Sequence, residues 1–91
     1  MNLDSTYYED IQGRLRGLLI ELGRHFARDQ AALISELIDA NECGVALEMM
    51  SQILDEGKAP VPKEQVTEIA RLGEQMDLPD VVRISGELNV G

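Results

Sequence analysis

Apolar residues in the first third of the chain recur at Tyr8, Ile11, Leu15, Leu18, Leu19, Leu22 and Phe26. Steps of three and four put them on one stripe of a helix with ~3.6 residues per turn, which predicts a first amphipathic helix. Thr6-Tyr7-Tyr8-Glu9 has capping-box spacing and marks its expected start, the Thr6 hydroxyl accepting from the Glu9 amide while the Glu9 carboxylate reaches back. Gly13 and Gly17 each cost such a helix ~1 kcal/mol relative to alanine. Either a neighbour packs against their bare backbone or the helix is weak there.

A second stripe, Leu33, Ile34, Leu37 and Ile38, follows Asp29, whose side chain is placed to cap a helix beginning at Gln30. Asn41 is suited to end it. The third stripe, Val45, Ala46, Met49, Met50, Ile53 and Leu54, predicts a helix from near Glu42 to Gly57, with Gly57 in the left-handed position beyond its end. Helices two and three are then expected to form a tight hairpin. Lys58-Ala59-Pro60-Val61-Pro62 reads as a connector, because its prolines remove backbone donors and bias the residues before them to extended geometry. Pro62 is placed to open a fourth helix carrying Val66, Ile69, Ala70, Gly73 and Met76, which ends before Leu78-Pro79. Val81-Val82-Arg83-Ile84 is too short for periodicity to separate a helical turn from an edge strand, and residues 86–91 read as a loose tail. The expected fold is all-α, a small bundle of about four helices forming one domain over residues 1–91 with its core at about 6–78.

Charge sharpens this outline. Eight basic residues face seventeen acidic ones, for a net charge of −9 in 91 residues. Such a chain is repelled by phosphate backbones and anionic lipid heads, so neither direct nucleic-acid binding nor membrane association is expected. No apolar run approaches the ~18–20 residues of a membrane span. The single cysteine, Cys43, and an N-terminus without the positive region of a secretory signal indicate a reduced, cytoplasmic protein. The charge is also unevenly placed. Residues 1–28 are neutral and residues 58–91 carry −2, whereas residues 29–57 hold seven acids (Asp29, Glu36, Asp39, Glu42, Glu48, Asp55, Glu56) and no base. Glu36 and Asp39 lie along one helix face, as do Glu48 and Asp55. Unmixed like charge adds repulsion of a few tenths of a kcal/mol per close pair. A solvated, solubilising face and a surface for a basic protein partner both account for it.

Nothing in the chain specifies a reaction, and no enzymatic activity or cofactor is expected. One His and one Cys occur without HExxH, CxxC, GxSxG or P-loop patterns. His25, near the end of the first helix, reads as a dipole or packing residue, and Cys43 as a small packed apolar group. Asp55-Glu56-Gly57 does not supply a calcium loop, and neither Ser35 nor Ser51 has the context of a phosphopantetheine-bearing serine. The interior methionines at helical spacing read as core filler.

The stretch Leu37-Ile38-Asp39-Ala40-Asn41-Glu42-Cys43-Gly44-Val45-Ala46-Leu47-Glu48 resembles the central pattern of MafI-type immunity proteins, small helical inhibitors encoded beside bacterial polymorphic toxins. In that family a helix ending Leu-Ile-x-x-x-Glu turns into Gly-x-Ala-Leu-Glu. A proline-containing linker and a helix of the form Ile-x-x-Leu-Gly-x-x-Met follow, matched here by Pro60, Pro62 and Ile69 to Met76, so the resemblance covers about residues 33–78. It implies a non-enzymatic cytoplasmic protein that binds and neutralises one cognate toxin domain, expected to be a basic protein that acts on nucleic acid. The acidic hairpin is the expected contact, with Glu36, Asp39, Glu42, Glu48, Asp55 and Glu56 as toxin-binding residues and Gly44 letting the two helices approach at the turn. A helical adaptor or regulatory module that binds a non-toxin partner is the alternative, and a DNA-mimicking inhibitor is a third reading that the short hairpin disfavours. A core this modest is also compatible with self-association.

Overall fold

Spacings of three and four become helices throughout. The structure, a computed structural model, describes residues 3–91, with side chains from Thr6 onward, and the readings attached to Met1 and Asn2 lie outside these. Five α-helices follow one another among the described residues, one more than expected: α1 (Leu3–Glu21), α2 (Arg28–Asp39), α3 (Cys43–Glu56), α4 (Lys63–Gln75) and α5 (Pro79–Ser85), with a 3₁₀ turn at Gly23–His25. The protein is all-α. Its residues group into two compact units, Met1–Ala46 and Leu47–Gly91, and α3 carries the chain from the first into the second.

In the first unit the predicted stripe of α1 is buried at Ile11, Leu15, Leu18, Leu22 and Phe26, while α2 buries Ile34 and Ile38. Tyr8 and Leu33, counted in those stripes, are exposed at their edges. Two polar residues of α1, one turn apart, tie it to the end of α2. The Gln12 side-chain amide donates to the Ile38 carbonyl at 2.9 Å, and Arg16 pairs with the Asp39 carboxylate. α1 begins at Leu3 rather than Thr6, which puts Thr6 and Glu9 inside the helix instead of at its cap. The acids Glu9 and Asp10 then lie in its N-terminal half, on the side of the positive end of the helix dipole. α2 likewise starts earlier than Gln30, with Ala27 as the cap residue. Ala27 has no side-chain oxygen to accept from the first helical N–H groups; the Gln30 side-chain oxygen accepts from the Ala27 N–H at 2.8 Å, and Asp29 within the first turn accepts from the Gln30 N–H at 3.0 Å.

A methyl group added at Gly13 or Gly17 would meet no atom within 4 Å. Of the two accounts of these glycines, the structure therefore supports local weakness of α1. Gly13→Ala together with Gly17→Ala should stabilise the protein by about 1–2 kcal/mol in total, read as a higher urea midpoint followed by circular dichroism. An unchanged or lowered midpoint would show that something does pack there.

In the second unit the buried apolar residues are Leu47, Met50, Leu54, Ala59, Val61, Ile69, Leu72, Val81, Ile84 and Leu88. The ambiguous Val81–Ile84 stretch is helical. Pro79 opens α5 at a position that needs no backbone donor, and Val81 and Ile84, three apart, turn inward. α5 packs on α4 at Gly73, where a Cβ would stand only 3.0 Å from one Val81 methyl and 3.1 Å from a Val82 methyl. Pro62 is the cap residue of α4, which begins at Lys63.

Residues 86–91 are not a loose tail. The Val61 N–H donates to the Asn89 carbonyl at 2.8 Å, and the Gly91 N–H donates to the Val61 carbonyl at 3.0 Å, forming a single parallel bridge between Val61 and Val90. The Asn89 side-chain amide adds a bond to the Lys58 carbonyl at 3.2 Å, and Leu88 is buried. The extended geometry that the prolines impose on the connector is what leaves Val61 free to pair.

The same device ends three successive helices. After α2, α3 and α4 the chain turns through one residue of positive φ, namely Asn41 (62°), Lys58 (52°) and Asp77 (57°). In each case the amide one residue further on closes back onto the helix: Glu42 onto Leu37, Ala59 onto Leu54 and Leu78 onto Gly73, at 2.8, 3.1 and 2.8 Å. These are Schellman closures, and Asn41 ends α2 as its sequence position predicts. At α3 the left-handed residue is Lys58 and not Gly57. That shift lets Ala59, which is buried, follow the turn directly above the buried Leu54.

Candidate functional site

The six candidate carboxylates are carried by α2, the turn after it, and α3. On α2, Ile34 and Ile38 turn inward and Glu36 and Asp39 point outward, exposed, as a ~100° step per residue requires. Glu42, in the turn, is exposed, and its N–H is occupied by the closure onto Leu37. On α3, Glu48 and Asp55 are half-buried and Glu56 is exposed. Ser51, buried one turn after Leu47, turns its hydroxyl back to donate to the Leu47 and Glu48 carbonyls at 3.0 and 3.1 Å, so it serves the helix and not a site.

These carboxylates differ in their partners. Asp39 is already engaged by Arg16. Among the described residues no ion pair involves Glu36, Glu42, Glu48, Asp55 or Glu56. Their placement also opposes helix formation. Neither α2 nor α3 has a basic residue in its last turn, where Glu36 and Asp39, and Asp55 and Glu56, meet the negative end of the helix dipole. Each such acid costs roughly 0.3–1 kcal/mol at a surface position. The acidic stretch is thus held against local stability.

The third stripe proves to be two rows. Ala46, Met50 and Leu54 are buried, together with Cys43 and Leu47, which the stripe had not included. Val45 is 48% exposed, and Met49 and Ile53, one and two turns further along, are half-buried. Only Met50 of this methionine pair is core filler. The outer face of α3 therefore presents an apolar row, Val45, Met49 and Ile53, with Glu56 in line with it, Gln52, Glu48 and Asp55 along one edge and the buried Ala46 and Met50 along the other. The doublets Val45-Ala46, Met49-Met50 and Ile53-Leu54 are the signal in the sequence, since they make the apolar arc too wide for one buried face.

Candidate chemistry elsewhere is sparse. His25 sits half-buried in the 3₁₀ turn, its ring nitrogen accepting from Arg24 at 3.5 Å. No group of His, Cys, Asp and Glu among the described residues is arranged to hold a metal ion, and no described helix is long and apolar enough to cross a membrane. Cys43 is buried at 6% exposure, with its thiol donating to the Asn41 side-chain oxygen at 3.6 Å. Burial pushes this thiol above the ordinary cysteine value, opposed by the nearby Arg16 charge and reinforced by Glu42. The fold favours the neutral thiol. Its contribution to stability is therefore intact below the ordinary value and is lost as pH rises past it, where the unfolded thiol ionises more readily than the folded one. Between about pH 8 and pH 10 the urea midpoint should fall further for the native chain than for Cys43→Ala, and an aromatic disulfide reagent should label Cys43 slowly until urea is added. Equal alkaline slopes for the two chains would refute this.

No family model, curated protein or solved structure matches this chain.

Proposed function

We propose that the protein is an immunity protein, a non-enzymatic inhibitor that binds and neutralises a basic toxin domain acting on nucleic acid, inside the bacterial cell that makes both. One observation carries the reading: seven acids without a base between residues 29 and 57, of which five of the six candidates lack an ion partner among the described residues. A toxin that handles nucleic acid needs a basic cleft, and unpaired carboxylates on α2 and α3 would steer association across a Debye length of ~8 Å at physiological salt. The resemblance of residues 33–78 to MafI-type proteins points the same way. Asp39 contributes least, because Arg16 already neutralises it.

The test is a tagged-chain pull-down at low and then moderate salt, repeated with Glu48→Lys and Asp55→Lys combined. One stoichiometric basic toxin domain, released as salt rises, is the expected capture. The double variant should slow association at least ~10-fold and abolish protection of cells expressing the toxin while its circular dichroism stays helical. Loss of fold is not the expected cause, since lysine at position 55 suits the negative end of α3 better than aspartate does. Full protection by the folded variant would remove these residues from the contact. The apolar row on α3 favours the adaptor reading to one extent: a non-toxin partner held through high salt would replace the inhibitor reading with it.

A further inference from the structure

The inward side of α3 is filled, with Leu47, Met50, Ser51 and Leu54 all at 1% exposure or less. Its outward row of Val45, Met49 and Ile53 repeats every four residues. That is the ridge by which one helix settles into the groove of another, and it extends over about 12 Å of helix. Carboxylates lie along one edge and at one end of it: Glu48 and Asp55 on the side of Gln52, and Glu56 in line with the row, while the opposite edge runs into the buried Ala46 and Met50. We propose that this face docks a basic amphipathic α-helix of the partner protein, with Met49 and Ile53 entering between the partner's apolar side chains and Glu48, Asp55 and Glu56 meeting its lysines or arginines. The proposal deepens the function proposed above and rests on it for the partner's basic character.

Other occupants fit the same face worse. A second copy of this chain would bring Glu48, Asp55 and Glu56 against their own like charges, with no base between residues 29 and 57 to relieve them. An anionic lipid surface meets the same repulsion. A basic helix satisfies both the apolar row and its acidic edge. In this arrangement the carboxylates set the rate of encounter and the apolar row sets the residence time. Methionine at the centre of the row suits the task, because its unbranched side chain adapts to an irregular groove.

The full chain is titrated with three fluorescein-labelled synthetic peptides: a helical leucine–lysine amphipath, an isomer of it with scrambled order, and a leucine–glutamate counterpart. The leucine–lysine helix should bind saturably and at least ~10-fold more tightly than either of the others, a gap of about 1.4 kcal/mol. Met49→Ser with Ile53→Ser should weaken binding about 10-fold through faster dissociation. Gln52→Arg, at an exposed position that leaves the core untouched, should weaken it several-fold through slower association and so stands even if the serine variant fails to fold. Equal binding of the scrambled peptide, no binding of the amphipath, indifference to Gln52→Arg, or dimerisation of the chain through this row would each overturn the proposal. Failure here alongside loss of toxin protection by the charge-reversed chain would sink this docking mode alone. Peptide binding by a chain that protects against no toxin would sink the inhibitor reading instead.

Discussion

Gly73→Val is expected to destabilise the second unit by about 2–3 kcal/mol, the typical cost of overpacking a filled site. Propensity argues the other way, because valine is a better helix residue than glycine by a few tenths of a kcal/mol. Packing wins because a first methyl at Gly73 already stands 3.0 Å from Val81 and 3.1 Å from Val82, and valine adds two more carbons in a crowded space. Val81 is fully buried and cannot swing away. Gly73→Ala separates the two effects: its gain of ~1 kcal/mol in propensity partly offsets the clash, and it should fall between the native chain and Gly73→Val. Urea denaturation of the three proteins decides the matter. A valine variant as stable as the native chain would mean that α4 and α5 are not in such close contact.

Ending the chain after Gly86 should cost the same unit about 3–5 kcal/mol, more than any other change proposed for it. The truncation removes the buried Leu88 side chain and both backbone bonds to Val61, a residue with no exposure to solvent. Leu88→Ala should reproduce the larger part of the loss, and Val90→Ser, at an exposed position, almost none of it. Thermal melts of these three variants apportion the effect between the side chain and the bridge. A truncated chain that melts with the native one would return residues 87–91 to the status of a tail.

The contrast between these regions shows what the sequence discloses. The first four helices are legible because apolar residues at steps of three and four can be satisfied only by a helix with one buried face. α5 is not, since four apolar-rich residues fit a turn of helix and an edge strand equally well until Val81 is seen against Gly73. The bridge from Val61 to Val90 joins residues nearly thirty apart, and no local pattern near Leu88 announces it. The left-handed turn after α3 falls on Lys58 and not on Gly57, a choice that local preference alone does not give and that accompanies the burial of Ala59. Among the candidate site residues, the outward placement of Glu36 and Glu56 follows from periodicity alone. The engagement of Asp39 by Arg16 needs α1 and α2 to be packed together, and the outer, partly exposed row of Val45, Met49 and Ile53 needs the inward side of α3 to be filled by its neighbours first.

The helix ends at Asn41, Lys58 and Asp77 leave the protein with something in reserve. Left-handed backbone is a conformation that asparagine and aspartate tolerate and lysine does not, at a cost of roughly 1–2 kcal/mol. Glycine would relieve the turns at Lys58 and Asp77, whose side chains are exposed, whereas the Asn41 side-chain oxygen also accepts from the buried Cys43 thiol. A lineage carrying this fold can therefore absorb destabilising changes on the outer faces of α2 and α3 and recover part of the loss at the turn after α4, which belongs to neither helix. Where a surface changes while its fold is kept, such an independent source of stability sets how far that surface can drift before the fold gives way.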